Sequence, residues 1–288
     1  MLNHPDYNSP AALKEFMESN NMAMQKKFGQ NFLVNEDARK KLIDTLDVTE
    51  GTTVWEVGPG LGSMTDELLR RGVNLTVFEI DHGFARVLPQ FFEEYANKGH
   101  FTLVEGDVLK TWPAYAKDNN PPQRFFGNLP YNVAATIIAD TINKGFRFDK
   151  AVFTIQKEVG LRMTAKPGTE DYSSFSVLCQ WAYDVKPVID LAGGNFWPKP
   201  NVASRAVLMT KKENFPCCEN PELFMKMLRQ IFLLRRKTIR NNLTKFVSAE
   251  QCDKALEIAG ISPSERAENL SVEKLLQLSD AINSVIIK

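Results

Sequence analysis

Val54-Trp55-Glu56-Val57-Gly58-Pro59-Gly60-Leu61-Gly62 runs an apolar stretch straight into a glycine turn, and Ser63 to Arg71 then reads as a helix closed by Gly72. Glycines let a backbone turn without a Cβ clash and pass close to a bound nucleoside. From Thr52 onward, short apolar runs alternate with longer amphipathic segments. The strand candidates are Thr53 to Val57, Leu75 to Ile80, Phe101 to Val104, Arg124 to Phe126 and Ala151 to Ile155. Such alternation predicts an α/β fold, a parallel sheet with helices on both faces. Val185 to Lys211 is strand-rich, with Pro187, Pro198 and Pro200 at loop or edge positions, and is expected to complete the sheet with antiparallel strands.

On the N-terminal side, Ser9-Pro10 caps a helix through Met17, and Asn35 starts a second one through Leu46, with a loop from Lys26 to Leu33 between them. After Lys211 the character turns helical. Leu223 to Leu234, Lys237 to Phe246, Ala255 to Ala259 before Gly260, and Val272 to Ile282 are the helix candidates, with Glu213 to Asn220 as a linker. This gives three parts: an N-terminal extension over 1–25, an α/β domain over 26–212 and a small all-α domain over 213–288.

The 288 residues carry 35 Lys and Arg against 35 Asp and Glu, a formal net charge of zero. No run of about 18 apolar residues occurs and the first twenty residues are polar, so neither a spanning helix nor a signal peptide is expected, and the chain is expected to be cytoplasmic. Cys179, Cys217, Cys218 and Cys252 form no CxxC pair and have no histidine at ligand spacing, so neither a metal site nor a disulfide framework is expected. Balanced charge argues against a nucleic-acid partner, but its distribution argues the other way. Between Glu222 and Glu250 there is no acid, while Lys226, Arg229, Arg235, Arg236, Lys237, Arg240 and Lys245 all fall there. The bland alternative is a solvated helix face.

The strand ends carry the chemistry. Glu79 can accept both hydroxyls of a ribose, although a nicotinamide cofactor would use the same pairing. Asp107 can accept from an adenine amino group or merely cap a helix. Carboxyl ends of parallel strands converge on one crevice, which would bring Gly58, Glu79 and Asp107 to a single nucleoside site. The fourth strand delivers Asn128-Leu129-Pro130-Tyr131 beside it. An exocyclic adenine amine is a poor nucleophile with two N–H donors. An Asn side-chain carbonyl and the backbone carbonyl before a proline can accept both, favouring a pyramidal nitrogen that offers its lone pair to a sulfonium methyl. Tyr131 supplies a stacking face; ordinary turn chemistry is the competing reading.

With these residues assembled, the chain resembles the KsgA-type small-subunit rRNA adenine dimethyltransferases from about Lys26 to its C-terminus. The matching stretches are Phe28 to Leu33, Glu56 to Gly62, Glu79-Ile80-Asp81, Gly106-Asp107, Asn128 to Tyr131, Phe196 to Ser204 and Arg266 to Ser271. Asn35 stands where that family usually has an aspartate, Met64 where it has a leucine, and Asn132 to Ala135 follow Tyr131 less typically.

The resemblance implies a Rossmann-like class I S-adenosylmethionine-dependent methyltransferase fold. It also implies transfer of two methyl groups to N6 of each of two adjacent adenosines in the hairpin loop near the 3′ end of small-subunit rRNA, within a pre-ribosomal particle. A cofactor site of Asn31, Leu33, Gly58, Gly60, Glu79, Ile80, Asp107, Val108 and Asn128 follows from it, as do catalytic positions at Asn128, Leu129, Pro130, Tyr131 and Phe196. Phe196 is expected to stack on the target base opposite Tyr131. The basic stretch then becomes an RNA grip through Arg235, Arg236, Lys237 and Arg240, and a monomer is the default expectation.

Three rivals differ at identifiable points. An Erm-type enzyme acting on large-subunit rRNA shares the glycine loop and the tetrapeptide, but Pro167-Gly168, Phe196 to Ser204 and Arg266 to Ser271 favour the small subunit. A non-catalytic RNA- or DNA-binding factor would not need Asn128 and Tyr131. A dehydrogenase would need an acid/base histidine, and only His4, His82 and His100 exist.

Overall fold

The computed structural model describes residues 3–25 and 29–286. Helix α1 (Pro10–Ser19), capped by the Ser9 side chain, leads to a short strand β1 (Phe32–Leu33) and to α2 (Glu36–Leu46), capped by Asn35. There follow β2 (Thr53–Val57), α3 (Ser63–Arg70), β3 (Asn74–Glu79), α4 (His82–Phe91), α5 (Glu93–Asn97), β4 (Phe101–Glu105), α6 (Val108–Asp118), β5 (Arg124–Asn128), α7 (Ala134–Asn143) and β6 (Lys150–Gln156). The chain continues through α8 (Lys157–Thr164), α9 (Ser174–Ala182), β7 (Tyr183–Leu191), β8 (Phe196–Trp197), β9 (Ser204–Lys211), α10 (Pro221–Ile231), α11 (Ile239–Leu243), α12 (Ala249–Ala259) and α13 (Val272–Ile286).

The main sheet has seven strands in the order β4-β3-β2-β5-β6-β9-β7, and β4 through β6 run parallel, with β9 antiparallel to β6. All five strand candidates lie in it. Chain order reverses between β2 and β5, the kind of switch point at which strand ends open into a crevice. Neighbouring residues on a strand face opposite ways, and here the two faces differ in kind. Val54, Phe126 and Val152 join one core cluster with Leu42, Ile43, Leu68 and Leu88 of the helices. Trp55, Phe125 and Phe153 face the other way into an aromatic layer, where Trp55 meets Phe78 at 5.3 Å and Phe125 meets Phe148 at 4.6 Å between centroids. Trp112 Nε1 donates to Asp140 Oδ2 at 3.0 Å, tying α6 to α7.

Two expectations about organisation change. The N-terminal segment is part of the core, since Leu13 and Met17 of α1 are buried in the same cluster as α2 and β2. The chain also divides into compact units discontinuously: the residues through Gly160 join Val185–Lys211, and Leu161–Asp184 joins the C-terminal helices from Lys212 onward. The reason is packing. Trp181 of α9 lies 5.1 Å from Phe224 of α10 and donates from Nε1 to Pro216 O, and Tyr172 donates its hydroxyl to Leu270 O at 3.0 Å.

Within the helical unit, α10 stops at Ile231 rather than Leu234 and α11 is confined to Ile239–Leu243. Buried Asn242 explains the early stop, because its Nδ2 donates to both Ile231 O and Leu234 O and so satisfies carbonyls a longer helix would use. Helix α12 starts before Ala255, at Ala249, behind the cap Ser248, whose side chain forms a capping box with Gln251.

Candidate active site

A cavity of about 340 Å³ opens at the carboxyl ends of β2, β3, β4 and β5, within the range of about 300–1,000 Å³ usual for small-molecule sites. It is lined by Asn31, Leu33, Gly58, Gly60, Glu79, Ile80, Asp107, Val108 and Asn128, every residue expected to hold a cofactor, and by Leu129, Pro130 and Tyr131. Strand ends bring them together from positions about a hundred residues apart.

The glycine loop adopts a conformation a side chain would oppose. Gly60 has φ +57°, and a Cβ there would lie 2.9 Å from Phe32 Cε1. Gly60 N donates to Glu79 Oε2 at 3.1 Å, and Asp81 N donates to Glu79 Oε1 at 2.8 Å, so the loop and the end of β3 share one carboxylate. Burial pushes the Glu79 carboxyl up to about 7, against the pull of these backbone donors. Beneath it, Glu56 is buried and accepts from Thr65 Oγ1 at 2.7 Å; burial raises it to about 8, and neighbouring Glu79 adds to the rise.

Asp107 caps a helix and also stands at the cavity. Its Oδ1 caps α6 by accepting from Leu109 N at 3.1 Å. Asn128 Nδ2 donates to the Asn31 carbonyl at 2.8 Å, a bond spanning 97 residues. With the amide NH₂ turned to that carbonyl, Oδ1 is left as the acceptor for a ligand. The Pro130 carbonyl is taken by the amides of Val133 and Ala134 at the start of α7, whereas the Leu129 carbonyl accepts no hydrogen bond among the described residues. Leu129 N is fixed by Thr154 O at 3.0 Å. The tetrapeptide therefore offers two carbonyl acceptors, and the Tyr131 ring is held by a 2.5 Å bond between its hydroxyl and buried Ser204 Oγ.

One catalytic expectation fails. Phe196 is 4% exposed and sits in the hydrophobic core, and it does not line the cavity. It pairs with Leu33 across the β1–β8 ribbon, and alternation along that ribbon turns Trp197, not Phe196, toward the Phe32 ring, with centroids 6.0 Å apart and planes 17° from parallel. Phe28 of the matching stretch, and Lys26 and Lys27 before it, lie outside the described residues.

Sequence reasoning also missed supporting residues. Gln30 Nε2 donates to Asp81 Oδ2 at 2.9 Å, joining the loop before β1 to the cap of α4. A fixed offset between a loop and a strand end is visible only in three dimensions. None of the three histidines lines the cavity, and His82 pairs with Glu105.

The four basic residues divide. Arg235, Arg236 and Lys237 are exposed in the turn after α10. Arg240 instead makes a bidentate pair with Asp253, at 2.6 and 2.8 Å, an acid just beyond the acid-free window. No helix among the described residues is long and apolar enough to cross a membrane, and they contain no cluster of ligands for a metal ion.

A family model described as ribosomal RNA adenine dimethylase matches residues 21–284. The chain belongs to that family. A ribosomal RNA small subunit methyltransferase A of Treponema denticola is 48% identical over 98% of this chain and 97% of its own, and one of Treponema pallidum is 43% identical over 98% and 99%. Among solved structures, a dimethyladenosine transferase from Plasmodium falciparum matches with a TM-score of 0.72 at 23% identity, covering 87% of this chain and 97% of its own. The 23S rRNA methyltransferase ErmE matches with a TM-score of 0.63 at 22% identity, over 87% and 99%. Both likenesses bear on the fold, the Rossmann-like class I methyltransferase architecture. The family match starts at residue 21, leaving α1 outside it although α1 is built into the core.

Proposed function

We infer that the chain is a small-subunit rRNA adenine-N6 dimethyltransferase that uses S-adenosylmethionine. The observation that carries this reading is the Asn128 amide, held by Asn31 O so that its carbonyl end is free beside the cavity, in a chain of the adenine dimethylase family.

The residues present fit the cofactor. Gly60 provides a backbone approach that a Cβ would close, Glu79 a carboxylate for ribose hydroxyls, Asp107 an acceptor for an adenine amino group, and Ile80 and Val108 apolar walls. When bound, S-adenosylmethionine supplies an electrophilic methyl group. The protein's own part is to receive the target base: Asn128 Oδ1 and Leu129 O accept the two N6 protons, while the Tyr131 ring stacks on the base. RNA loops offer such splayed bases, and a base to be modified leaves its stack. The amine becomes acidic once methylated and positively charged, so no strong general base is required.

The finer reading is dimethylation of two adjacent adenosines in the 3′-terminal hairpin loop, on a pre-ribosomal particle in the cytoplasm, by a monomer. Arg235, Arg236 and Lys237 serve phosphates. Labelled methyl groups should pass to undermethylated small subunits and not to large subunits, and loss of the protein should confer kasugamycin resistance. Transfer to large-subunit RNA, with macrolide sensitivity on loss, would overturn the assignment.

A further inference from the structure

Leu61 lies between Gly60 and Gly62, whose φ values are +57° and +87°. Two left-handed glycines so close together leave a backbone with much conformational freedom to lose, so a loop that must hold a ligand needs outside groups to fix it. Some of that fixing comes from within the α/β unit: Phe32 packs over Gly60, Phe92 over Gly62, and Gly62 N donates to Pro59 O at 2.9 Å. A directional hold comes from the first residues of the chain. Tyr7 donates its hydroxyl to the Leu61 carbonyl at 2.9 Å. Tyr7 Oη also lies 2.8 Å from His4 Nδ1, and the His4 ring, its Nε2 3.3 Å from the Phe91 carbonyl, stacks on Phe91 with centroids 4.7 Å apart.

The same segment also reaches β1, whose residue Leu33 lines the cavity. Asn8 Oδ1 accepts from Arg39 Nη2 at 2.5 Å, and Arg39 Nη1 donates to the carbonyl of Leu33, a lining residue. Arg39 is 4% exposed, and a buried guanidinium holds its position only while its acceptors do. The whole assembly is anchored by Leu13 and Met17 of α1 in the core. The N-terminal segment thus holds the glycine loop through Tyr7 and Leu61, next to lining residue Gly60, and holds lining residue Leu33 through Asn8 and Arg39.

We propose that the N-terminal segment positions the cofactor cavity, with Tyr7 as the positioning residue for the glycine loop. The proposal rests on the functional reading above. Burial keeps the Tyr7 hydroxyl protonated well beyond its usual range, in keeping with a permanent donor.

Titration calorimetry with S-adenosylhomocysteine on the full chain tests it. Tyr7→Phe keeps the ring and removes only the hydroxyl, and is expected to weaken binding about 5-fold, the effect of one neutral hydrogen bond. In turnover, the KM for S-adenosylmethionine should rise by a similar factor, while kcat and the KM for small subunits stay unchanged. Asn8→Ala, which acts through Arg39 and leaves Tyr7 intact, should weaken the same ligand in a fully folded protein. Unaltered affinity in both variants, or a lowered denaturation midpoint with unaltered affinity, would overturn the positioning role and leave the methyltransferase reading standing. A wild-type protein that does not bind S-adenosylhomocysteine would overturn both.

Discussion

Asn128 depends on a division of labour within one amide. Its NH₂ is committed to Asn31 O, so its carbonyl is oriented by a loop nearly a hundred residues away. Asp107 likewise spends one oxygen on α6. Glu56 and Glu79 form the unusual pair, two buried carboxyls raised to about 8 and about 7. A carboxyl whose folded pKa exceeds its unfolded value holds its proton longer in the folded state. Stability contributed by the neutral form is present at low pH and falls as pH rises from the unfolded range near 4.5 through about 7 and 8. Chemical denaturation of the ligand-free protein across pH 5 to 8 should show this decline, at about 1.4 kcal/mol per pH unit for each such proton. Glu56→Gln should remove one proton's share of the slope; an unchanged slope would show that Glu56 is ionised in the folded protein. Most of these residues were legible because each stands at a strand end with its functional group in plain view. Phe196 was not, because its inward direction is decided by pairing with Leu33, a partner 163 residues away that no local pattern announces.

At the scale of elements, the strands were legible and several helices were not. Five apolar runs declared the parallel strands, and the capping residues Ser9 and Asn35 declared α1 and α2. Helices α8 and α9 escaped notice because α8 follows β6 without a break and α9 is apolar on most sides, with Val177, Leu178, Cys179, Trp181 and Ala182 all buried; such a segment shows little amphipathic period. The end of α10 was misplaced because a side chain, Asn242, captures its last carbonyls. That same ending puts Arg235, Arg236 and Lys237 on an exposed turn, while Arg240 is neutralised by Asp253. Binding to small-subunit RNA should therefore respond unequally. Replacing the three turn residues with Gln should lower the slope of log affinity against log salt by about 2, whereas Arg240→Gln alone should change it by less than about 0.5. Equal loss per residue across all four would show that Asp253 releases Arg240 on binding.

For the whole molecule, the expected linear division gives way to a discontinuous one, with Leu161–Asp184 packed among the C-terminal helices and the N-terminal segment built into the α/β unit. Long-range packing of Trp181 and Tyr172 decides the first, and the core contacts of Leu13 and Met17 the second; neither leaves a periodicity to read. What the chain order did carry is convergence, since strand ends from Gly58 to Tyr131 meet at one cavity whatever the outlying helices do. The central claim is that this cavity delivers methyl groups to adenine N6 in small-subunit rRNA through Asn128. Mass spectrometry of rRNA fragments, after undermethylated small subunits are incubated with the protein and labelled S-adenosylmethionine, tests it most directly. The account predicts two adjacent N6,N6-dimethyladenosines in the 3′-terminal hairpin fragment with the wild-type protein, and at least about 100-fold slower incorporation with Asn128→Ala under saturating RNA. Label in any other base or fragment, or wild-type incorporation by Asn128→Ala, would contradict it.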